Sequence, residues 1–257
     1  MTLILSVFDK ASVRLTLEEV AAATHLPRST THRILEQLVH HHWVVHAQGH
    51  YGLGSRALSL AAKSIAQDRV RTAAAAVLHR LALHSQTEIQ LGTLHGHHVH
   101  LVDTFGRPTP GTTPPPVGTL LPTHCTALGK ALLSALPPEA VDPGHLHPRT
   151  RHTITDLDTL RVELTRIRRR HGLAFDRGEY LPHLACAAAV IVDGAQAVGA
   201  VSVSCPTPAT SDRLAPLVVG AAQTIGRRLR NPGHPAEGRA PAGTADPPDD
   251  DSTEGNT

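Results

Sequence analysis

The chain has 257 residues, of which 40% are hydrophobic, and its charged side chains give a formal net charge of +2. This length and apolar content suffice for one sizeable or two modest hydrophobic cores, which excludes a wholly disordered chain. No segment approaches the roughly 18 apolar residues of a membrane-spanning helix, and the N-terminus lacks a signal-peptide pattern. We therefore expect a globular cytoplasmic protein with no membrane partner.

The segment from Leu15 to Thr24 predicts a short helix with a well-defined start. Thr16 is the expected N-cap, and Glu19, three residues later, completes a capping box in which each side chain bonds the other residue's backbone N–H. The next two residues, His25 and Leu26, form a tight turn. Together they predict the first half of a helix-turn-helix.

A second helix follows the turn, and its outer face suits the reading of DNA. Pro27 fits the first turn of this helix, where a missing N–H costs nothing. Four residues recur at helical spacing and should face the core, namely Thr31, Ile34, Leu35 and Leu38. An outward arginine can bond guanine bidentately, and a helix N-terminus attracts phosphate. We predict DNA contacts from Arg28, Ser29, Thr30, His32 and Arg33 on this helix and from His50 beyond it.

Two short apolar runs, Trp43–His46 and Tyr51–Leu53, predict a β-hairpin after the second helix. Beside a helix-turn-helix, such a hairpin forms a wing next to the DNA phosphates. The simpler alternative is that the outer face of the second helix is merely solvated. The hairpin favours DNA reading over that alternative.

These segments resemble the winged helix-turn-helix of the IclR family of transcriptional regulators. The likeness rests on Leu15–Ala21, Leu26–Leu35 and Tyr51–Gly54, and it extends over the chain from about Leu3 to Leu229. His42 stands where the family tends to have glycine, at a helix C-cap that often has a positive φ. The first helix of this chain is shorter than is usual in the family.

The resemblance and the sequence pattern together predict three parts and a tail. Residues 1–54 would form the DNA-binding domain, residues 55–67 a linker helix and residues 68–230 an effector-binding domain. Residues 231–257 carry six acidic residues against one arginine among many Pro and Gly residues, and we expect this tail to be disordered. The predicted fold class is α+β, with the winged helix-turn-helix joined by the linker helix to a GAF-like α/β domain with a central antiparallel sheet.

The sequence beyond the linker alternates between helical and extended patterns. Strands are predicted at Glu88–Leu94, Val99–Asp103, Ala187–Asp193 and Ala197–Ser204. Helices are predicted at Thr72–His84, Thr126–Ala135, Leu157–His171 and Ser211–Leu229. Residues 107–122 contain six prolines and should form a restrained loop over the sheet.

The charge of the DNA-binding domain predicts that it acts in pairs. Residues 1–66 contain six Lys and Arg residues against four Asp and Glu residues, so that one domain would bind DNA weakly. We expect a homo-oligomer, either a dimer or a dimer of dimers, that places two domains on a repeated double-stranded operator.

A second set of motifs resembles the effector domain of the same family. Its best-marked segment is Leu121–Leu133, and by resemblance the ligand pocket is lined by Ala127, Leu128, Asp176, Leu184, Cys186, Ser202 and Ser204. The helix that starts at Thr126 offers free N–H groups that favour an anionic group, and Ser202 and Ser204 share one face of a strand. We therefore expect a small organic, acidic effector and no cofactor.

Simpler roles remain open for single residues. Cys186 could be an inert buried side chain, and Asp176 could cap a turn. Lys130 is expected on a helix face or in an ion pair rather than at the ligand.

Other classes of protein are weighed against this interpretation. The three cysteines have neither metal-type spacing nor an even count, and the clustered histidines are more simply surface residues, so no metal site is predicted. An enzyme with Cys186 or Ser202 as nucleophile lacks a nucleophile elbow or comparable motif, so no catalytic residue is predicted. A small-molecule sensor with impaired DNA binding is the third alternative, and the intact core pattern of the second helix argues against it.

Overall fold

The computed structural model describes residues 2–9 and 13–231. The predicted acidic tail, apart from Asn231, lies outside the described residues. The N-terminal domain contains α1 (Thr2–Leu5), α2 (Leu17–Thr24), α3 (Arg28–His40), β1 (Val44–Ala47) and β2 (His50–Leu53). The predicted helix-turn-helix and wing are thus confirmed.

Local signals define the start and the end of α2. The hydroxyl of Thr16 accepts the backbone N–H of Glu19, and a Glu19 carboxyl oxygen accepts the backbone N–H of Thr16 at 2.7 Å, so the capping box is confirmed. His25 ends the helix in the left-handed conformation. The prediction that Pro27 lies within the first turn of α3 is wrong. Its ψ of 139° is extended, which makes Pro27 the N-cap of this helix.

The core of the N-terminal domain follows the predicted helical spacing. Thr31 and Leu35 are fully buried on α3, Leu38 is nearly so, and Ile34 packs at the edge of the same cluster. The β1–β2 turn consists of Gln48 and Gly49, both with positive φ, as a two-residue hairpin requires. His42 has a φ of 59°, which confirms the expectation for that position.

The linker region differs from the prediction. The helices expected at residues 55–67 and 72–84 form one continuous helix, α4 (Ser55–Ser85), of 31 residues. No Gly or Pro occurs within it, so nothing in the sequence interrupts its hydrogen bonds. The predicted boundary between linker and effector domain therefore falls inside a helix.

The C-terminal domain is built on six strands. Their ranges are β3 (Glu88–His95), β4 (His98–Phe105), β5 (Leu120–Pro122), β6 (Leu173–Arg177), β7 (Ala185–Asp193) and β8 (Gln196–Cys205). The order in the sheet is β5-β4-β3-β8-β7-β6, and all neighbours are antiparallel, which confirms the predicted sheet. Strands β5 and β6 were not predicted, and β5 takes up the end of the proline-rich loop. The remaining helices are α5 (Ala127–Ser134), α6 (Leu157–Arg169) and α7 (Pro208–Arg230).

Helices cover both faces of this sheet. Ile89, Leu91 and Val203 point to a core shared with α4 and α7. On the opposite face, α5 and α6 pack over Cys186 and other small residues of the strands. Because successive strand residues point to opposite faces, Glu88, Gln90, Ser202 and Ser204 lie on the α5 face.

The close approach of α5 to the preceding loop predicts the effect of a glycine substitution. A Cβ on Gly129 would lie 2.3 Å from the Cα and the carbonyl oxygen of Thr123. Gly129→Ala should therefore lower the free energy of unfolding by about 1–3 kcal/mol in urea denaturation. In the control Gly220→Ala, also within a helix, the new Cβ meets nothing within 4 Å, so it should be neutral or stabilise by up to about 1 kcal/mol. Equal effects of the two changes would contradict this packing.

Candidate nucleic-acid interface and ligand cavity

The outer face of α3 presents the predicted DNA-contacting residues to solvent. Arg28, Ser29, His32 and Arg33 are exposed, and Thr30 is partly buried. Arg28 forms an ion pair with Glu18 of α2 at 2.8 Å, and both side chains are largely exposed. Within the described residues, the Arg33 guanidinium has no hydrogen-bond or ion-pair partner, so it is free to meet a base or a phosphate.

The first turn of α3 also carries unpaired backbone donors. The side chains of Thr16, Thr126, Asp156 and Thr207 cap α2, α5, α6 and α7. Pro27, the N-cap of α3, makes no side-chain hydrogen bond. The start of α3 therefore keeps N–H groups that a phosphate oxygen could accept.

The wing places His50 at the hairpin turn. His50 is exposed, and its Nδ1 lies 2.9 Å from the carbonyl oxygen of Gln48. Arg33 and His50 thus come from separate elements, the helix and the wing. Both elements remain available to solvent.

A separate cavity of about 240 Å³ lies between the sheet and the start of α5. All seven positions predicted for the ligand pocket line it: Ala127, Leu128, Asp176, Leu184, Cys186, Ser202 and Ser204. The structure brings these residues together from helix α5, strands β6, β7 and β8, and the loop before β7. Residues far apart in the sequence therefore share one chamber.

The floor of the cavity is a row of side chains that crosses four strands. Asp176 of β6 is paired in register with Cys186, Cys186 with Ser204, and Ser204 with Glu88 of β3. Ser202 and Gln90 form part of the next row, two residues along each strand. Most side chains of these two rows are polar and buried. Buried polar groups require hydrogen-bonding partners.

The start of α5 forms one wall. The hydroxyl of Thr126 caps the N–H of Gly129 at 3.1 Å. The N–H groups of Ala127 and Leu128 lie in the first turn, where the helix itself offers no acceptor. The hydroxyl of Thr109, in the proline-rich loop, donates to the carbonyl oxygen of Ser204 at 3.0 Å and ties that loop to the sheet.

Asp176 is nearly inaccessible to solvent and is held by backbone donors. Its Oδ1 accepts the N–H of Glu179 at 2.7 Å, which fits the alternative role of a turn cap. Burial raises the pKa of Asp176 to about 7, against the lowering effect of this hydrogen bond. The carboxyl group therefore both caps the turn and lines the cavity.

Lys130 is not part of the cavity lining. Its Nζ donates to a carboxyl oxygen of Glu179 in a buried ion pair, which confirms the expected role of Lys130. Burial raises the pKa of Glu179, and the Lys130 charge opposes that rise. Neither Lys130 nor Glu179 lines the cavity.

The cysteines lack the properties of nucleophiles. Burial raises the pKa of Cys186 well above its usual value, and its Sγ lies 3.6 Å from the hydroxyl of Ser204. Burial also raises the pKa of Cys125 to about 12 and that of Cys205 to about 11. Such thiols remain protonated at neutral pH.

Ten lining residues are not among the seven predicted pocket positions, although Leu121 and Thr126 lie in the motif that the sequence singled out. The ten are Glu88, Gln90, Thr112, Thr113, Pro114, Pro115, Leu121, Thr126, Tyr180 and Leu181. The pattern of β3 contained a usable signal, because Glu88 and Gln90 are polar alternate residues in a strand whose other face is apolar. The contribution of the proline-rich loop depends on tertiary packing that no short motif encodes.

Two negative findings apply to the described residues 2–9 and 13–231. No group of three or more His, Cys, Asp or Glu side chains there is arranged to hold a metal ion. No helix in this part of the chain is both long enough and apolar enough to cross a membrane.

Two solved structures have a similar fold over 89% of this chain. A transcriptional regulator from Rhodococcus sp. RHA1 shares 26% sequence identity with a TM-score of 0.57, covering 89% of this chain and 95% of that one. An IclR homologue from Microbacterium hydrocarbonoxydans, solved in complex with 4-hydroxybenzoate, has 23% identity and a TM-score of 0.60. It covers 89% of this chain and 97% of that one. At 23% identity the likeness concerns the fold alone.

Three named proteins are similar in sequence to most of this chain. The HTH-type transcriptional regulator Rv1719 of Mycobacterium tuberculosis is 36% identical over 196 residues, which are 74% of each chain. The glycerol operon regulatory protein of Streptomyces griseus is 32% identical over 84% of this chain and 89% of its own length. The acetate operon repressor of Salmonella typhimurium is 29% identical over 81% of both. These relatives are transcriptional regulators rather than enzymes.

Two family models together cover almost all of the described chain. The IclR helix-turn-helix domain matches residues 2–47, and the bacterial transcriptional regulator IclR C-terminal domain matches residues 62–230. The second match alone exceeds half of the chain. The chain therefore belongs to the IclR family of DNA-binding transcriptional regulators.

Proposed function

We propose that this regulator binds a small-molecule effector in the cavity beneath α5 and changes its affinity for an operator in response. The observation that carries this proposal is the convergence of Asp176, Cys186, Ser202 and Ser204 on one buried cavity. Buried polar side chains without full pairing are costly unless a ligand or water completes their hydrogen bonds. Since its target is DNA, we place the protein in the cytoplasm.

We propose that α3 enters the major groove and that the wing lies against the phosphates. Arg33 is the candidate for reading a base, since it is exposed and unpaired within the described residues. Ser29, Thr30 and the first-turn N–H groups of α3 suit a phosphate, and His32 and His50 are exposed on α3 and on the wing. Arg28 can join them by exchanging Glu18 for DNA.

We propose a homodimer formed through the N-terminal half of α4, with a dimer of dimers as the larger assembly. Leu58, Ala61, Ala62 and Ile65 form an apolar stripe at helical spacing, and all four are exposed in the single chain. A second copy of the stripe would cover it. Dimerisation would also pair two weakly charged DNA-binding domains on one operator.

Two features of the cavity have opposite effects on the binding of an acidic effector. The α5 N-terminus favours the acidic group that the sequence predicts. The carboxyl groups of Glu88 and Asp176 oppose it. The class of ligand therefore depends on the whole lining rather than on the helix alone.

The proposed role of Arg33 predicts a sequence-dependent loss of affinity. An operator would first be selected from a random duplex library with the wild-type protein. Arg33→Ala should then weaken binding to that duplex by about 1–3 kcal/mol in fluorescence anisotropy, with a smaller loss on a scrambled duplex. Arg161→Ala, an exposed arginine on α6, is the control and should change neither. Equal losses on both duplexes would reassign Arg33 to a phosphate.

The proposed dimer predicts different results for two leucines on the same helix. Leu58 belongs to the apolar stripe, whereas Leu60, 58% exposed, points to another side of α4. Leu58→Glu should raise the dimer dissociation constant by about tenfold or more in sedimentation velocity, because the dimer interface would then bury a carboxylate. Leu60→Glu should leave the dimer intact. Dimers of equal strength in both variants would show that this stripe is not the interface.

A further inference from the structure

A second cavity, of about 250 Å³, is lined largely by histidines. It is formed by the β3–β4 hairpin, strand β5, the residues between β5 and α5, and the irregular segment 143–149. Its basic lining residues are His97, His98, His124, His145, His147 and Arg149. The described residues of the lining include no Asp or Glu, so this histidine-lined cavity favours an anion over a cation.

The histidine-lined cavity is separate from the cavity beneath α5 but adjoins it. Leu121 of β5 lines the cavity beneath α5, whereas its neighbours Leu120 and Pro122 line the second one. Successive strand residues point to opposite faces, so β5 divides the two. Arg149 forms a second link, since its guanidinium lies 5.4 Å from the ring centroid of Tyr180, which lines the cavity beneath α5.

Arg149 supplies the permanent positive charge of the histidine-lined cavity. Its side chain is exposed, and within the described residues its guanidinium makes no hydrogen bond or ion pair. The N–H donors of the guanidinium are therefore available to an anion. Arginine bonds phosphate oxygens with two parallel N–H groups, which makes it well suited to a phosphate group.

Hydrogen bonds hold the segment 143–149 in place around the cavity. The Nδ1 of His97 lies 3.0 Å from the carbonyl oxygen of Asp142, and the Nε2 of His124 lies 3.0 Å from that of His147. Gly144 packs closely on His97, because a Cβ on Gly144 would lie 3.1 Å from the Cβ of His97. The carboxylate of Asp142 is 3.5 Å from His97 and is the nearby negative charge. The cavity walls are thus fixed by contacts within the chain.

His124 carries an unpaired acceptor in the wall of this cavity. The residue is only 2% exposed, and its Nε2 must donate because the carbonyl oxygen of His147 accepts. In the neutral ring Nδ1 is then an acceptor, and it has no partner among the described residues. Burial lowers the pKa of His124, which favours the neutral ring. A hydroxyl donor on a ligand would complete this hydrogen bond.

We propose that the histidine-lined cavity is a second ligand site that binds a phosphate group, either as free phosphate or as the monoester of a small hydroxylated compound. A phosphate group offers three strong acceptor oxygens, which suit donors that approach from several segments of the chain. A carboxylate offers two oxygens in one plane. For a monoester, Leu120, Pro122 and Pro143 add apolar surface that a short carbon skeleton can cover.

The test measures ligand binding to the full chain by isothermal titration calorimetry at neutral pH and about 150 mM NaCl, which screens unspecific charge attraction. The probes are inorganic phosphate, ribose 5-phosphate, ribose and acetate. At least one of the two phosphates should bind with a Kd of about 1 mM or tighter, and ribose and acetate at least about tenfold more weakly. Tighter binding of ribose 5-phosphate would identify a monoester as the ligand, and tighter binding of inorganic phosphate would identify the free ion.

Matched variants assign the binding to this cavity. Arg149→Gln should weaken phosphate binding by about tenfold or more, because it removes a charged donor pair. Arg151→Gln, at an exposed arginine outside the lining, is the control and should leave the affinity unchanged. His145→Gln should also weaken binding, whereas His84→Gln, at an exposed histidine of α4, should not. All four side chains are exposed, so we expect each variant to fold.

Three outcomes would overturn the proposal. The first is that neither phosphate binds at a concentration of about 10 mM. The second is an equal loss in Arg149→Gln and Arg151→Gln, which would reduce the binding to general charge attraction. The third is loss of phosphate binding in Ser204→Ala with unchanged binding in Arg149→Gln, which would place the phosphate in the cavity beneath α5.

Discussion

The polar cavity and the hydrophobic core depend on one constraint, the two-residue alternation of a sheet that is covered on both faces. Ile89 and Val203 contribute to the core with α4 and α7, while their neighbours Glu88 and Ser204 line the cavity under α5. A slip of one residue in β3 would place the Glu88 carboxyl and the Gln90 amide in the core, and Ile89 and Leu91 in the cavity. The register that stabilises the domain therefore also positions its polar site.

Features with local causes were predictable from the sequence. The capping box of Thr16 and Glu19 defines the start of α2, and the helical spacing of Thr31 and Leu35 defines the buried face of α3. The seven cavity positions followed from a family resemblance, and the structure places them all around one cavity. Their role in binding an effector remains a prediction, as do the DNA contacts, the oligomer and the GAF-like label.

Features that depend on tertiary context were missed. Strand β5 is short and contains Pro122, which is tolerated because β5 lies at the sheet edge. Strand β6 is also an edge strand, and its five residues mix charged and apolar side chains without clear alternation. The alternation of β3 marks Glu88 as a residue of the polar face, but only the pairing of β3 with β8 places it beside Ser204 in the cavity.

Helix α4 connects the two proposed activities, since it starts directly after the wing and its C-terminal part packs on the sheet face opposite the cavity. A ligand can shift DNA affinity only if it favours one arrangement of these parts. The most direct test measures the Kd of the selected operator duplex with and without a saturating amount of the tightest-binding compound from a panel of small organic acids. The account predicts a change of about fivefold or more in the wild type and a much smaller change in Ser204→Ala. An identical Kd with and without that compound in the wild type would contradict it.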